Sequence, residues 1–234
     1  MTERVDVAEL QGNEVVESQS EAAYRLLRSA IANLKLRPDE RLSEAVLAER
    51  FGFGRTPIRE AVHRLRHDGL IVSSPRRGLF VSSLTADDIR EIYEMLEALD
   101  GMAAYLATER ADTADLRELR RLNEGAIDEL KKGNSVDWQQ INLEFHQRLV
   151  ELAQNRRLLQ AFDLLYSQLR RALLLTLPLR SDLMPSVDAH NELLVAMERR
   201  DAEGVRVIAQ RHRREVRDDV ITALTKIKLP NMRY

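Results

Sequence analysis

"FGRTPIREAVHRLRHDGL", residues 53–70, sets Arg55, Arg59, Arg64 and Arg66 along one short helical stretch. Thr56 and Pro57 stand where such a helix begins: a threonine suits the cap, and a proline at the first helical position loses no hydrogen bond. Gly69 follows its end. The expected helix is therefore Pro57–His67. Upstream, Ser43 to Phe51 fits a second short helix, and Gly52 and Gly54 flank a tight turn between the two. Ala48 lets the helices approach, Gly52 accepts the left-handed conformation, and Leu47, Phe51, Phe53, Ile58 and Ala61 or Val62 supply a small core. This ordering is a helix-turn-helix.

Downstream, "LIVSSPRRGLFVSS" (70–83) reads as a hairpin carrying Arg76, Arg77 and Gly78 at its tip. The placement matches a wing, and its glycine lets the chain pass close to a sugar-phosphate surface. Arg55 and Arg59 sit at the N-terminal end of the second helix, the end that enters the major groove in such motifs. Arginine makes bidentate contacts with guanine edges and also binds phosphate. Arg64 and Arg66 lie further along and suit phosphate contacts or solvated surface.

Charge agrees with this. The 234-residue chain has a net charge of −2, yet residues 20–82 hold twelve Lys/Arg against seven acids. Residues 1–19 hold one Arg against five acids and show no clear period, as expected of a flexible arm. A segregated basic block suggests a polyanionic partner. With no cysteine, disulfides and thiolate metal sites are excluded. The acidic N-terminus does not resemble a signal peptide, and no apolar run approaches the ~20 residues needed to span a bilayer. A cytoplasmic setting without membrane contact is expected.

Helical periods occupy most of the rest. A first helix fits Ser20–Asn33 and ends before Pro38. From Thr85 no strand signal recurs; Thr85 and Asp88 make a capping-box-like start to a helix reaching Arg110. Further helices fit 113–132, 136–153, 156–177, 185–199 and 202–226. The expected fold is mainly α. It comprises the arm at 1–19, a winged helix-turn-helix at 20–82, and an all-α bundle at 85–228 for effector binding and dimerisation, with the composition change at Ser82–Leu84.

Of five histidines, His63 and His67 fall on the arginine helix and His146, His190 and His212 on three bundle helices. Asn142, four residues before His146, shares its face. Three imidazoles converging in a bundle either hydrogen-bond as core residues or hold a divalent ion such as zinc or nickel. Such an ion also suits a metal-dependent hydrolase. That reading lacks a base: Glu144 lies near the opposite face, and no HExxH, Ser-His-Asp order or phosphate loop appears. The chain is not expected to be an enzyme.

The words "RTPIREA" and "DGL" within 20–82 resemble the winged-helix domain of GntR-family bacterial transcription regulators. "INLEFHQRLVELAQNRRLL" and "DAHNELLVAMERRDAEG" resemble the FadR-type (FCD) ligand-binding bundle, in its six-helix VanR-like branch. The resemblance implies DNA contacts from Arg55, Thr56, Arg59 and Gly78, and metal ligands at Asn142, His146, His190 and His212, with Asn142 where the family has Asp. Ala45 replaces an arginine some members carry. Leu96 replaces the arginine that grips a carboxylate effector, followed by Asp100 for Glu, so no effector residue is assigned. The implied function is a homodimeric repressor, with an activator or dual regulator as alternative. A small molecule, either a metal-chelating organic acid or a larger metabolite, would release it from a palindromic double-stranded operator.

Overall fold

The computed structural model describes residues 17–227; residues 1–16 of the expected arm and Lys228 lie outside them. Helix α1 (Gln19–Ala32) is capped by Ser18, whose hydroxyl accepts the Glu21 N–H, and it buries Ala23, Leu27, Ala30 and Ile31. A two-residue strand β1 (Arg41–Leu42) follows, then α2 (Glu44–Phe51) and α3 (Arg55–His67). Gly52 closes α2 at φ +71°, donating its N–H to Ala48 O. Strands β2 (Ile71–Ser74) and β3 (Gly78–Val81) form the hairpin, with Val72 opposite Phe80, and β1 pairs with the outer side of β3. The small core expected between α2 and α3 is present: Leu47, Ile58, Ala61, Val62 and Leu65 are buried with Ala48, Phe51 and Phe53 packed against them.

One local expectation needs correction. Helix α3 starts two residues early, with Gly54 as N-cap, so Thr56 is not the cap and Pro57 occupies the third helical position. The first ladder bond runs from Ile58 N to Gly54 O (3.4 Å). The backbone nitrogens of 55–57 face no ladder acceptor, so the N–H that Pro57 lacks costs nothing there. Ser43 stands at the N-cap of α2, but its side chain makes no capping bond. Strand β1 has no sequence signature, because two residues carry no period of their own.

Six helices make the bundle: α4 (Ala86–Arg110), α5 (Thr113–Lys131), α6 (Ser135–Leu152), α7 (Arg156–Thr176, continued by a 3-10 turn at Leu177–Leu179), α8 (Met184–Glu198) and α9 (Ala202–Thr225). The capping box at Thr85/Asp88 forms as expected, and Asp112/Asp115 make a second one on α5. Helices α4 and α9 pack along most of their length. Gly101 permits this, since a Cβ there would lie 2.9 Å from the Gln210 side chain. No helix among the described residues is long and apolar enough to cross a membrane.

Helix α7 ties the halves together. Arg171 is buried and donates to Ser82 O (2.7 Å) and Ser82 Oγ (2.9 Å). Gln168 donates to Asp68 O at the end of α3 (2.7 Å), and Arg170 to Asn33 Oδ1 beyond α1 (3.1 Å). Ser82, where composition changes, is thus a packed junction.

Candidate functional site

Two sites emerge. On the surface, Arg55, Thr56 and Arg59 are exposed on the first turns of α3, with Arg76, Arg77 and Gly78 exposed on the hairpin. The unpaired N–H groups and positive dipole end of α3 reinforce the arginines toward an anion. Arg59 Nε lies 3.6 Å from Glu44 Oε2, a loose exposed pair that leaves the guanidinium free to exchange partners. Gly78 has φ +104°, which an L side chain rarely adopts. Arg64 is placed differently: Nη1 bonds Glu21 Oε2 (2.6 Å) and its guanidinium stacks 3.8 Å from the Tyr24 ring centroid. It braces α3 against α1.

Inside the bundle, α6, α8 and α9 bring His146, His190 and His212 together, all buried, with one nitrogen from each within 4.8 Å of the others. His63 and His67 stay exposed on α3. The rings of His146 and His212 stack 5.5 Å apart, and Phe145 stacks on His190 at 4.1 Å. Asn142, one turn before His146, lines the same chamber, where about 10 Å³ is free, room for one water or ion. Among the described residues Asn142 makes no hydrogen bond to an imidazole.

Hydrogen bonding fixes the imidazole states. Asn123 of α5 donates its Nδ2 to Asn191 Oδ1 (2.8 Å) and Val187 O (3.3 Å), so its Oδ1 must accept from His190 Nδ1 (3.2 Å). Burial, with Arg213 nearby, pushes the His190 pKa down to about 3, and burial likewise lowers His146 and His212 well below their ordinary range. A neutral His190 donating from Nδ1 presents a lone pair on Nε2, which lies 3.3 Å from His146 Nε2.

Without an ion, His146 must donate Nε2–H to that lone pair. Its Nδ1 is then a buried acceptor with no partner. With an ion, both Nε2 atoms would serve as ligands and His146 Nδ1 would carry the proton, facing Asp100 Oδ2 at 3.7 Å. Two nitrogens on a tetrahedral zinc at about 2.0–2.1 Å would sit roughly 3.3–3.4 Å apart. The separation and the orphaned Nδ1 both fit a bound divalent ion.

The chamber holds groups the sequence reading missed. Arg213 of α9 and Asp100 of α4 form a buried ion pair beside His146. Among the described residues Arg213 Nη2, Tyr93 OH and Trp138 Nε1 are buried donors without a partner, and Asp100 Oδ1 is an acceptor without one. Spacing could have flagged Arg213: it falls on the buried stripe of Val205, Ala209, His212, Val220 and Ala223. Leu96 is fully buried in the apolar core. Arg180, paired with Asp219, borders both the chamber and an outer cavity of about 290 Å³ that also touches His212. Glu144 is exposed and accepts from Gln140 Nε2, whereas the three imidazoles are buried.

Comparison with known proteins identifies the families of both halves of the chain. Residues 19–81 match the gntR family of bacterial regulatory proteins, and residues 91–215 match the FCD domain. The HTH-type transcriptional regulator YdhC of Bacillus subtilis (strain 168) is 36% identical over 136 residues, covering 58% of this chain and 61% of that protein. An HTH-type regulator from the TAR-I ttuE-ttuC' intergenic region of Agrobacterium vitis is 37% identical over 90 residues, 38% of this chain and 53% of that protein. The chain thus spans between half and two thirds of the length of these relatives. E. coli McbR/YncC has the same fold, with a TM-score of 0.75 at 23% identity over 89% of this chain and 98% of that one. These families and relatives are transcription regulators, not enzymes. A DNA-reading head joined to an FCD bundle makes this chain a member of the GntR family of bacterial transcription regulators.

Proposed function

We propose that the chain is an effector-released repressor, with residues 20–82 reading DNA and residues 85–228 binding effector and forming a homodimer. Arg55, Thr56 and Arg59 contact base edges and phosphates, and Arg76, Arg77 and Gly78 extend contact from the wing. Arg64, already held by Glu21 and Tyr24, contributes shape rather than a phosphate contact. His146, His190 and His212 hold a divalent ion, zinc or nickel, with Asn142 as an oxygen donor. The ion supplies a fixed positive anchor for an electron-rich ligand atom. Asn123 orients His190, and Asp100 stands ready to orient His146. The effector enters through the outer cavity beside Arg180. The unpaired donors of Arg213, Tyr93 and Trp138 favour a ligand with acceptor oxygens, such as a chelating acid.

The observation that carries this reading is α7. Tyr166 and Leu173 line the imidazole chamber, while Gln168 and Arg171 of the same helix hold Asp68 and Ser82 of the head. A ligand that shifts α7 therefore shifts the DNA-reading helix. Selecting genomic fragments on purified protein tests it. The expected product is a near-palindromic duplex with half-sites about one helical turn apart, ~34–36 Å. No preference over scrambled competitor, with or without zinc, would refute the reading. Elemental analysis should find one zinc or nickel per chain, lost in His146→Ala.

A further inference from the structure

The bundle and the DNA-reading head enclose a cleft of about 280 Å³, apart from the imidazole chamber. Arg28 of α1 and Arg170 of α7 both line it. Arg28 Nη2 donates to the backbone oxygen of Asp163 (2.6 Å), and its Nε is buried with no partner. Arg170 donates to two neutral amide oxygens, Asn33 Oδ1 (3.1 Å) and Gln140 Oε1 (3.3 Å). Among the described residues neither guanidinium forms a salt bridge, whereas Arg25 at the rim is paired with Glu17. Among the described residues Asp163 is the only carboxylate in the lining, and burial raises its pKa, opposed by Arg28. The floor is apolar: Leu143, Phe162 and the Tyr166 ring.

Two part-buried guanidiniums, hydrogen-bonded only to neutral acceptors and facing the single carboxylate of Asp163, leave an excess of positive charge in the cleft, and an oxyanion would satisfy them with hydrogen bonds about twice as strong as neutral ones. The volume is near the ~300 Å³ lower limit of ligand pockets, which suits a small molecule. We propose that this cleft is a second ligand site, taking a small organic oxyanion, carboxylate or phosphate, on a compact apolar body. Its walls come from both α1 and α7, so an occupant fixes the separation of head and bundle. Tyr166 lines this cleft and the imidazole chamber alike, so the two sites share a wall. The proposal does not depend on metal binding.

Calorimetric titration of the full chain with 2-naphthoate, 1-naphthyl phosphate and neutral 2-naphthol tests it. One anion per chain is expected, with 2-naphthol at least tenfold weaker. Whichever anion binds more tightly identifies the headgroup as carboxylate or phosphate. Arg28→Met/Arg170→Met should weaken the anion at least tenfold. Ser29→Phe, an exposed lining position where substitution leaves the core intact, should do so by filling the cleft. His146→Ala should leave affinity within twofold. Absence of saturable anion binding, equal binding of 2-naphthol, or wild-type affinity in the arginine and Ser29 variants overturns the site. Loss in His146→Ala alone places the anion in the imidazole chamber, which also overturns it.

Discussion

His190 makes the folded protein acid-sensitive by an amount that can be worked out. Burial holds its pKa at about 3, against an ordinary value of ~6.5 in the unfolded chain. The folded pKa is depressed, so the unfolded state binds the proton first as pH falls. Stability contributed by neutral His190 is full above pH ~6.5 and is lost progressively toward pH 3. Between pH 7 and pH 5 the unfolded state gains roughly 1.4 kcal/mol per pH unit below 6.5, or about 2 kcal/mol from this one ring. His190→Leu removes the titration while filling much of the space beside Phe145. Urea unfolding in chelator should show the wild type losing about 2 kcal/mol more than the variant between the two pH values. An equal difference between wild type and variant at pH 7 and pH 5 would refute the argument, since it would mean the ring is hydrated in the folded state.

Zinc at a hundredfold excess over its Kd should stabilise the fold by about 2.7 kcal/mol, raising Tm by roughly 5–10 °C; EDTA should reverse the shift and His212→Ala abolish it, as read by calorimetry. Asp100→Ala leaves Arg213 charged, buried and unpaired, so unfolding free energy should fall by about 3–5 kcal/mol, whereas Asp100→Leu/Arg213→Met should recover most of that. A double variant as unstable as the single one would show that the pair contributes more than mutual compensation. Arg59→Ala should cost about 1–3 kcal/mol on the selected duplex and much less on random DNA, while Arg64→Ala should change affinity less than twofold; anisotropy titrations at fixed salt distinguish them.

Local signals in the chain already carried most of the architecture. The helices between Ala86 and Thr225 follow from 3.6-residue periodicity and the breaks between them, and the hairpin follows from β-rich runs around Pro75–Gly78. The three histidines were legible as a possible constellation because each sits on a separate periodic segment. Other features needed the folded chain. Whether Thr56 or Gly54 caps α3 depends on how the turn packs, since both residues are compatible with that end of a helix. Strand β1 exists only because β3 offers it an edge. Arg213, in the charged stretch "RHRREVR", lies four residues from Ala209 and seven from Val220, so spacing sets it on the buried face without naming its partner. Its burial requires Asp100, 113 positions away, as a partner. Periodicity reports which face of a helix is apolar, but charge compensation across the bundle is a long-range pairing, and only packing α9 against α4 decides it.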